Sequence, residues 1–279
     1  MRSFSVITAA FVTGSLCYAG TLVGIAVDPN SPIGTQGLVY RIDPITGATT
    51  PMAGNYFWLV AGDSPYPATI FGSSPINLYT ANFDTGGGGL YYSGGVAFDL
   101  AFDSDHNTLY SIVDSSLRTI PLTPCSGPCP TIPVIGSLSA PIYAMGYVPG
   151  EGLYGVDAVT GMLYRIDGNT AALTPVGPLG PEFMGTGLSI TDIEFDVATG
   201  RMIATAGFGE PVPVGPPGRL PLVSGKIYLL DRYTGGVTLL NDNAPNFISL
   251  AEVSPEPVSL ILLGTGLLAL CVRWRAQRK

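Results

Sequence analysis

Three acidic residues alternate along one short stretch of the chain: Asp192, Glu194 and Asp196. In a strand, residues two apart lie on the same face, so these carboxyls would crowd together. Paired carboxylates can perform general acid–base chemistry, including glycoside cleavage when a cleft separates them correctly. The alternative is a solvated strand face, with Ile193 and Phe195 directed to the core. The sequence leaves both readings open.

A second acidic stretch reads Asp103-Ser-Asp-His-Asn, with side-chain oxygens on Asp103, Asp105 and Asn107. Oxygen ligands at alternate positions are typical of the beginning of a calcium loop, so these three residues are candidate Ca²⁺ ligands. Thr108 stands where such a loop would have glycine. The alternative is an ordinary hairpin turn between two strands. No other cofactor is indicated.

Other catalytic constellations find little support in the sequence. His106 is the only histidine, and no Gly-x-Ser-x-Gly elbow accompanies it. Gly86–Gly89 lacks the lysine and hydroxyl residue of a phosphate-binding loop. The net charge is −8. Because several of the basic residues lie at the two ends, the middle of the chain is more acidic than the whole and repels nucleic acid. We therefore predict a protein that is not an enzyme and has no nucleic-acid partner.

Four cysteines are present, and two of them fall in terminal segments. Cys125 and Cys129 remain, in the stretch Cys-Ser-Gly-Pro-Cys. In an oxidising compartment a pair so close in sequence forms a local disulfide that closes a tight loop. A zinc site would need further ligands, so we predict a structural disulfide.

The elements that must position these residues are short strands joined by tight turns. Charged residues make up only 11% of the chain, while glycine (37) and proline (25) are abundant, as expected for many turns between apolar strands. A unit of the form Leu-Tyr-x-Ile-Asp, followed by Thr-Gly and a return strand, recurs in the sequence. It is seen at residues 38–49, 109–114, 153–170 and 227–238.

The repeat marks lie about 45–50 residues apart, a spacing typical of propeller blades. Because each hairpin buries only one face, a closed ring of such units would protect the exposed strand edges. We predict an all-β, β-propeller-like domain over residues 20–253, with five blades or, alternatively, six. A β-sandwich is the alternative fold.

The chain begins with Arg2 and an apolar stretch from Phe4 to Leu16, followed by Ala19 before Gly20. A basic start, an apolar segment and a small residue before the cut define a secretory signal peptide. We predict that residues 1–19 are removed on export.

The last 26 residues (254–279) contain an uncharged apolar run from Val258 to Val272. Extended to residue 274, the run reaches the short end of the roughly 17–25 residues that span a bilayer, so we predict a transmembrane helix over 258–274. The positive-inside rule then places the C-terminus in the cytoplasm. The basic residues that stop translocation are Arg273, Arg275, Arg278 and Lys279.

Directly before this run stand Pro255, Glu256 and Pro257. Together with the apolar run and the basic end, this tripeptide resembles the PEP-CTERM sorting signal of Gram-negative bacteria. The family often has valine before the motif, whereas here Ser254 follows Val253. The resemblance implies recognition by an exosortase, a membrane cysteine peptidase, with the tripeptide as the recognised substrate. The strand repeats also resemble those of bacterial exported β-propellers.

These resemblances imply a route and a role. The protein would be exported, anchored in the inner membrane through its C-terminal helix before processing, and then released to the cell surface or medium. There we expect a non-catalytic binding or structural role in the extracellular matrix or biofilm, with exopolysaccharide as a possible partner. The alternative function is a propeller hydrolase or lyase that acts on matrix polysaccharide.

Overall fold

The computed structural model describes residues 20–27, 36–57, 62–66, 69–73, 77–82, 88–93, 99–122, 131–184, 188–208 and 225–253. The predicted signal peptide (1–19), the predicted Cys125–Cys129 disulfide and the predicted sorting segment (254–279) lie outside the described residues. Those assignments therefore stay predictions. Within the described ranges, no helix is long and apolar enough to cross a bilayer.

The described residues form twenty strands, arranged as five four-stranded antiparallel sheets. The β2–β3 hairpin shows how the sequence dictates these units, because Asp43 ends one strand and Gly47, at φ 70°, turns the chain into the next. In chain order the strands are β1 Thr21–Val27, β2 Gln36–Ile42, β3 Thr49–Phe57, β4 Gly62–Tyr66, β5 Thr69–Ser73, β6 Asn77–Asn82, β7 Gly88–Ser93, β8 Asp99–Asp103, β9 Thr108–Val113, β10 Ser116–Ile120, β11 Val134–Ser137, β12 Ile142–Val148, β13 Gly152–Asp157, β14 Met162–Ile166, β15 Leu173–Pro178, β16 Leu188–Asp196, β17 Arg201–Phe208, β18 Gly225–Leu230, β19 Val237–Ala244 and β20 Phe247–Val253.

The first sheet has the strand order β20-β1-β2-β3, so its innermost strand comes from the far end of the domain. The second to fifth sheets consist of β4–β7, β8–β11, β12–β15 and β16–β19. One edge strand of each sheet, namely β4, β8, β12, β16 or β20, contacts the corresponding strand of both neighbouring sheets. These inner strands therefore form a closed ring, which is the arrangement of a β-propeller. The all-β, propeller-like prediction is confirmed, and the described sheets do not form the two layers of a sandwich.

Strand β20 closes the ring by pairing antiparallel with β1, the first strand of the domain. Thr21 lies opposite Val253, and Ile25 lies opposite Ser249. Phe247 and Leu250 are each 1% exposed, so the closing strand is part of the core. The two ends of the described chain consequently lie side by side.

The inner strands are buried on both faces because a neighbouring sheet covers each face. This corrects one sequence-based reading, in which the acids of β16 occupied a solvated strand face. Asp192, Glu194 and Asp196 are all buried, as are Ile193 and Phe195 between them. The alternation of polar and apolar residues indicated one solvent-exposed face. In the structure β16 packs between β12 and β20, so both of its faces are covered.

Apolar side chains fill the spaces between adjacent sheets. Tyr154 of the fourth sheet packs with Ile193 and Met202 of the fifth. Ile203 of the fifth sheet packs with Phe247 of the first. Fully burying side chains of this size stabilises the fold by roughly 1.5–3 kcal/mol each.

Candidate functional face

Tight turns that share one internal geometry recur around the ring. In the turn after β2, the Asp43 carboxylate accepts hydrogen bonds from the Ile45 amide (2.8 Å) and the Thr46 hydroxyl (2.9 Å). The amide of Gly47 donates to the Asp43 carbonyl at 2.8 Å. The sequence pattern Asp-x-x-Thr is therefore a turn in which the side chains replace solvent as partners of the backbone. The aspartates that begin such turns are Asp43, Asp157, Asp167, Asp196 and Asp231.

The stretch proposed as a calcium loop forms a sixth turn of this kind, between β8 and β9. The Asp103 carboxylate accepts from the amides of Asp105 and His106, both at 2.9 Å. His106 Nδ1 lies 2.8 Å from Asp103 Oδ2, where the turns at Asp43, Asp157, Asp196 and Asp231 place a threonine hydroxyl. Asn107 adopts φ 52° in the position of glycine. The structure thus shows the hairpin turn.

Asp105 is also bound by protein donors. Its carboxylate accepts from the Tyr147 hydroxyl at 2.8 Å and the Gly150 amide at 2.6 Å, which ties the third sheet to the fourth. The Gly150 amide, followed by the Tyr147 hydroxyl, lowers the pKa of Asp105. In the described part of the chain, no group of three or more His, Cys, Asp or Glu side chains is placed to hold a metal ion. Calcium binding by Asp103, Asp105 and Asn107 stays a prediction.

Two buried aspartates fasten inner strands to each other. Asp192 in β16 accepts from its neighbour Ile193 (2.7 Å) and, across the sheet boundary, from the Leu250 amide of β20 (2.5 Å). Asp99 in β8 does the same with Leu100 and with the Met145 amide of β12. The two strands share the pattern Asp-apolar-x-Phe-Asp. Sequence reasoning noticed Asp192 but not Asp99, and it did not show that their partners would be backbone amides 58 and 46 residues away.

Most of these turns lie on one face of the ring, which we call the turn face. It carries the loops at residues 43–47, 104–107, 149–151, 167–171, 196–200 and 231–235. Direct contacts join them: the Arg201 guanidinium donates to the Pro44 carbonyl (3.3 Å), and the Val197 amide donates to Glu252 at the end of β20 (3.2 Å). The turns at 114–115 and 158–161 lie at the opposite ends of β9 and β13.

A cluster of four side chains links the fourth and fifth sheets on the turn face. Arg232 Nε lies 3.0 and 3.1 Å from the two Glu151 carboxylate oxygens. Tyr154 donates to Glu151 at 2.8 Å, and Tyr233 donates to it at 3.2 Å. The hydrogen bonds from Arg232 lower the pKa of Glu151, whereas burial raises the pKa of Tyr154 to about 12. Arg232 also lies over the Phe195 ring, 5.3 Å from its centre.

A cleft of about 320 Å³ opens on the turn face between the first and fifth sheets. Its walls combine apolar side chains with carboxylates, hydroxyls, a guanidinium and backbone atoms, and these polar groups can hydrogen-bond a ligand. The pKa of Asp43 is lowered, chiefly by the Ile45 amide, so this carboxylate is ionised at neutral pH. No signal for the cleft is visible in the sequence, because its walls come from three separate segments, which contribute Gly20–Leu22, Arg41–Ile45, and Asp196 with Ala198 and Thr199.

The chain matches no protein-family model and no curated protein. Among solved structures it is similar to one titled "The de novo evolutionary emergence of a symmetrical protein is shaped by folding constraints", with 16% identity, 85% of this chain and 100% of that chain covered, and a TM-score of 0.52. It is also similar to a nidogen/laminin complex chain, with 11% identity, coverages of 84% and 98%, and a TM-score of 0.49. TolB from Acinetobacter baumannii gives 12% identity, coverages of 82% and 55%, and a TM-score of 0.45. Likeness at these identities concerns the fold alone.

Proposed function

We propose that the protein is an exported, non-catalytic β-propeller that a C-terminal sorting signal delivers to the cell envelope of a Gram-negative bacterium. The observation that carries the proposal is the order of features at the end of the chain. The closing strand β20 ends at Val253, and Pro255-Glu256-Pro257, the apolar run and the basic residues follow at once. The predicted sorting segment therefore begins directly after the last strand of the domain.

In this proposal an exosortase-type peptidase recognises Pro255–Pro257 while the apolar run holds the protein in the inner membrane. Processing then releases the domain to the cell surface or the matrix. The five sheets would be the complete set of blades, since their inner strands already form a ring through β20. The oxidising exterior would permit the predicted Cys125–Cys129 disulfide.

The role of the exported domain is binding, with matrix exopolysaccharide as the proposed partner. Two observations support binding over catalysis. The inner-strand acids Asp99 and Asp192 accept hydrogen bonds from the Met145 and Leu250 amides of the neighbouring inner strands, so they fasten strands together. The cleft on the turn face offers mixed hydrogen-bonding groups suited to a hydroxyl-rich ligand.

The sorting proposal is tested in the host by replacing Pro255, Glu256 and Pro257 with alanine. We expect the processed, released form to disappear and the full-length protein to accumulate in the membrane. Ser254→Ala, which leaves the tripeptide intact, is the matched control. Unchanged release from the triple variant would refute the proposal.

The binding proposal is tested with the domain of residues 20–253, assayed by calorimetry against the exopolysaccharide of the host and against Ca²⁺. Arg41→Ala in the cleft should weaken polysaccharide binding, whereas Val134→Ala on an outer strand should not. Equal binding by both variants would exclude the cleft as the site.

A further inference from the structure

Both ends of the described chain emerge at one place on the turn face. Gly20 and Thr21 line the cleft together with the turns at 43–45 and 196–199. Val253 is paired with Thr21, and its neighbour Glu252 accepts from the Val197 amide. The last described residue, Val253, therefore lies on the turn face.

The connection from the domain to the apolar run is short. Only residues 254–257 separate Val253 from Val258, and two of these four are prolines. Five residue steps span at most about 17 Å even when fully extended. A domain tethered in this way stays within a short distance of whatever holds Val258.

Three large side chains project from the tips of adjacent turns on this face. Ile45 is 53% exposed, Val197 45% and Tyr233 66%. Their turns touch: Arg201 reaches the Ile45 carbonyl (3.4 Å), and Arg232 next to Tyr233 reaches the Gly200 carbonyl (3.4 Å). Apolar and aromatic side chains of this kind are favoured where a protein meets lipid headgroups.

We propose that the turn face is the membrane-proximal surface of the tethered protein, with Ile45, Val197 and Tyr233 resting on the headgroup region of the bilayer. The inference depends on the proposed function, because the apolar run must be anchored. The overall negative charge of the chain disfavours attraction to anionic lipid. The short tether, and not affinity of the domain for lipid, therefore holds the contact.

The test uses full-length protein lacking only the signal peptide, in nanodiscs of phosphatidylethanolamine with a minor fraction of phosphatidylglycerol. The photo-crosslinking residue p-benzoylphenylalanine replaces Ile45, Val197 or, as a control, Val159. Val159 is 70% exposed on the turn at the far end of β13. That strand of six residues separates it from the turn face by about 20 Å. Lipid adducts are measured by mass spectrometry.

We expect several-fold more lipid adduct at positions 45 and 197 than at 159. Adducts at 45 and 197 should fall to the level at 159 when the chain ends at Val253 or when a long Gly/Ser linker is inserted after Val253. Equal adducts at all three positions, or persistent adducts without the tail, would overturn the inference. If the full-length protein fails to float with the nanodiscs, the membrane anchor of the proposed function fails instead.

Discussion

One aspartate side chain organises each repeated turn. In the turn at Asp231, the carboxylate accepts from the Tyr233 amide (2.9 Å) and from the Thr234 hydroxyl (2.8 Å). The same contacts lower the pKa of Asp231, first through the Tyr233 amide. The turn at Asp103 keeps this geometry with different residues. The His106 imidazole nitrogen takes the place of the threonine hydroxyl, and Asn107, which tolerates positive φ, takes the place of glycine.

Asp192 provides a direct test of the link between inner strands. Asp192→Ala leaves the Leu250 amide without its partner in a buried place, so we expect the free energy of unfolding to fall by about 2–4 kcal/mol. Asp192→Asn keeps an acceptor oxygen and should lose less. Urea unfolding measures both, with the exposed Asp242→Asn as control. A loss for Asp192→Ala no larger than for Asp242→Asn would contradict the assigned role.

The Glu151–Arg232 pair should give a pH-dependent contribution to stability. Because hydrogen bonds from Arg232 lower the pKa of Glu151 in the folded state, the contribution is complete above the unfolded value of about 4.3. It is lost as the pH falls through the lower folded pKa. A double-mutant cycle with Glu151→Gln and Arg232→Gln should give a coupling of about 1–2 kcal/mol at neutral pH.

Urea unfolding of the four proteins of this cycle at neutral pH and at successively lower pH values measures that coupling. Asp114→Asn, on an exposed turn at the opposite face, gives the background effect of removing a carboxylate. A coupling that stays constant as Glu151 becomes protonated would show that the ion pair does not produce it.

At the scale of the element, the inner strands need small residues where they approach one another. A Cβ atom added to Gly146 in β12 would lie 2.6 Å from the Ile193 carbonyl oxygen of β16. Backbone on both sides leaves little room for relaxation. The absence of a side chain at this position therefore sets the spacing between the fourth and fifth sheets.

Gly146→Ala should accordingly destabilise the protein by about 1–3 kcal/mol through overpacking. The matched control is Gly89→Ala, since a Cβ atom at Gly89 in β7 would meet nothing within 4 Å. Thermal unfolding followed by circular dichroism compares the two. Equal melting temperatures for the two variants would mean that the inner strands can move apart at no cost.

The sequence was most informative about local structure. Strand alternation and the Asp-x-x-Thr-Gly pattern predicted the hairpins, and their spacing predicted a ring of sheets. The burial of Asp192 and Glu194 could not be predicted. The alternation of polar and apolar residues indicates which side chains share a face of one strand, but not whether neighbouring sheets cover that face. The cleft and the Glu151–Arg232 pair also escaped prediction, since the pair joins residues 81 positions apart and the cleft brings Pro44 close to Thr199.

At the scale of the whole molecule, the ring depends on its last strand. Strand β20 pairs with β1 and contacts both β16 and β4, so it joins the fifth, first and second sheets. The Leu250 amide of β20 also donates a hydrogen bond to the Asp192 carboxylate of β16. Its removal would uncover the core residues that Phe247 packs against and leave β1 without a hydrogen-bonded partner on that side.

We expect a chain of residues 20–246, which lacks β20, to lose cooperative thermal unfolding and to aggregate, whereas a chain of residues 20–253 unfolds in one transition. The physical reason is that β20 is the inner strand of the first sheet and pairs with β1 along the edge that β2 does not occupy. Adding a peptide of residues 247–253 to the shorter chain should restore part of the transition, as measured by calorimetry. A shorter chain that melts like the longer one would show that the ring is stable when open.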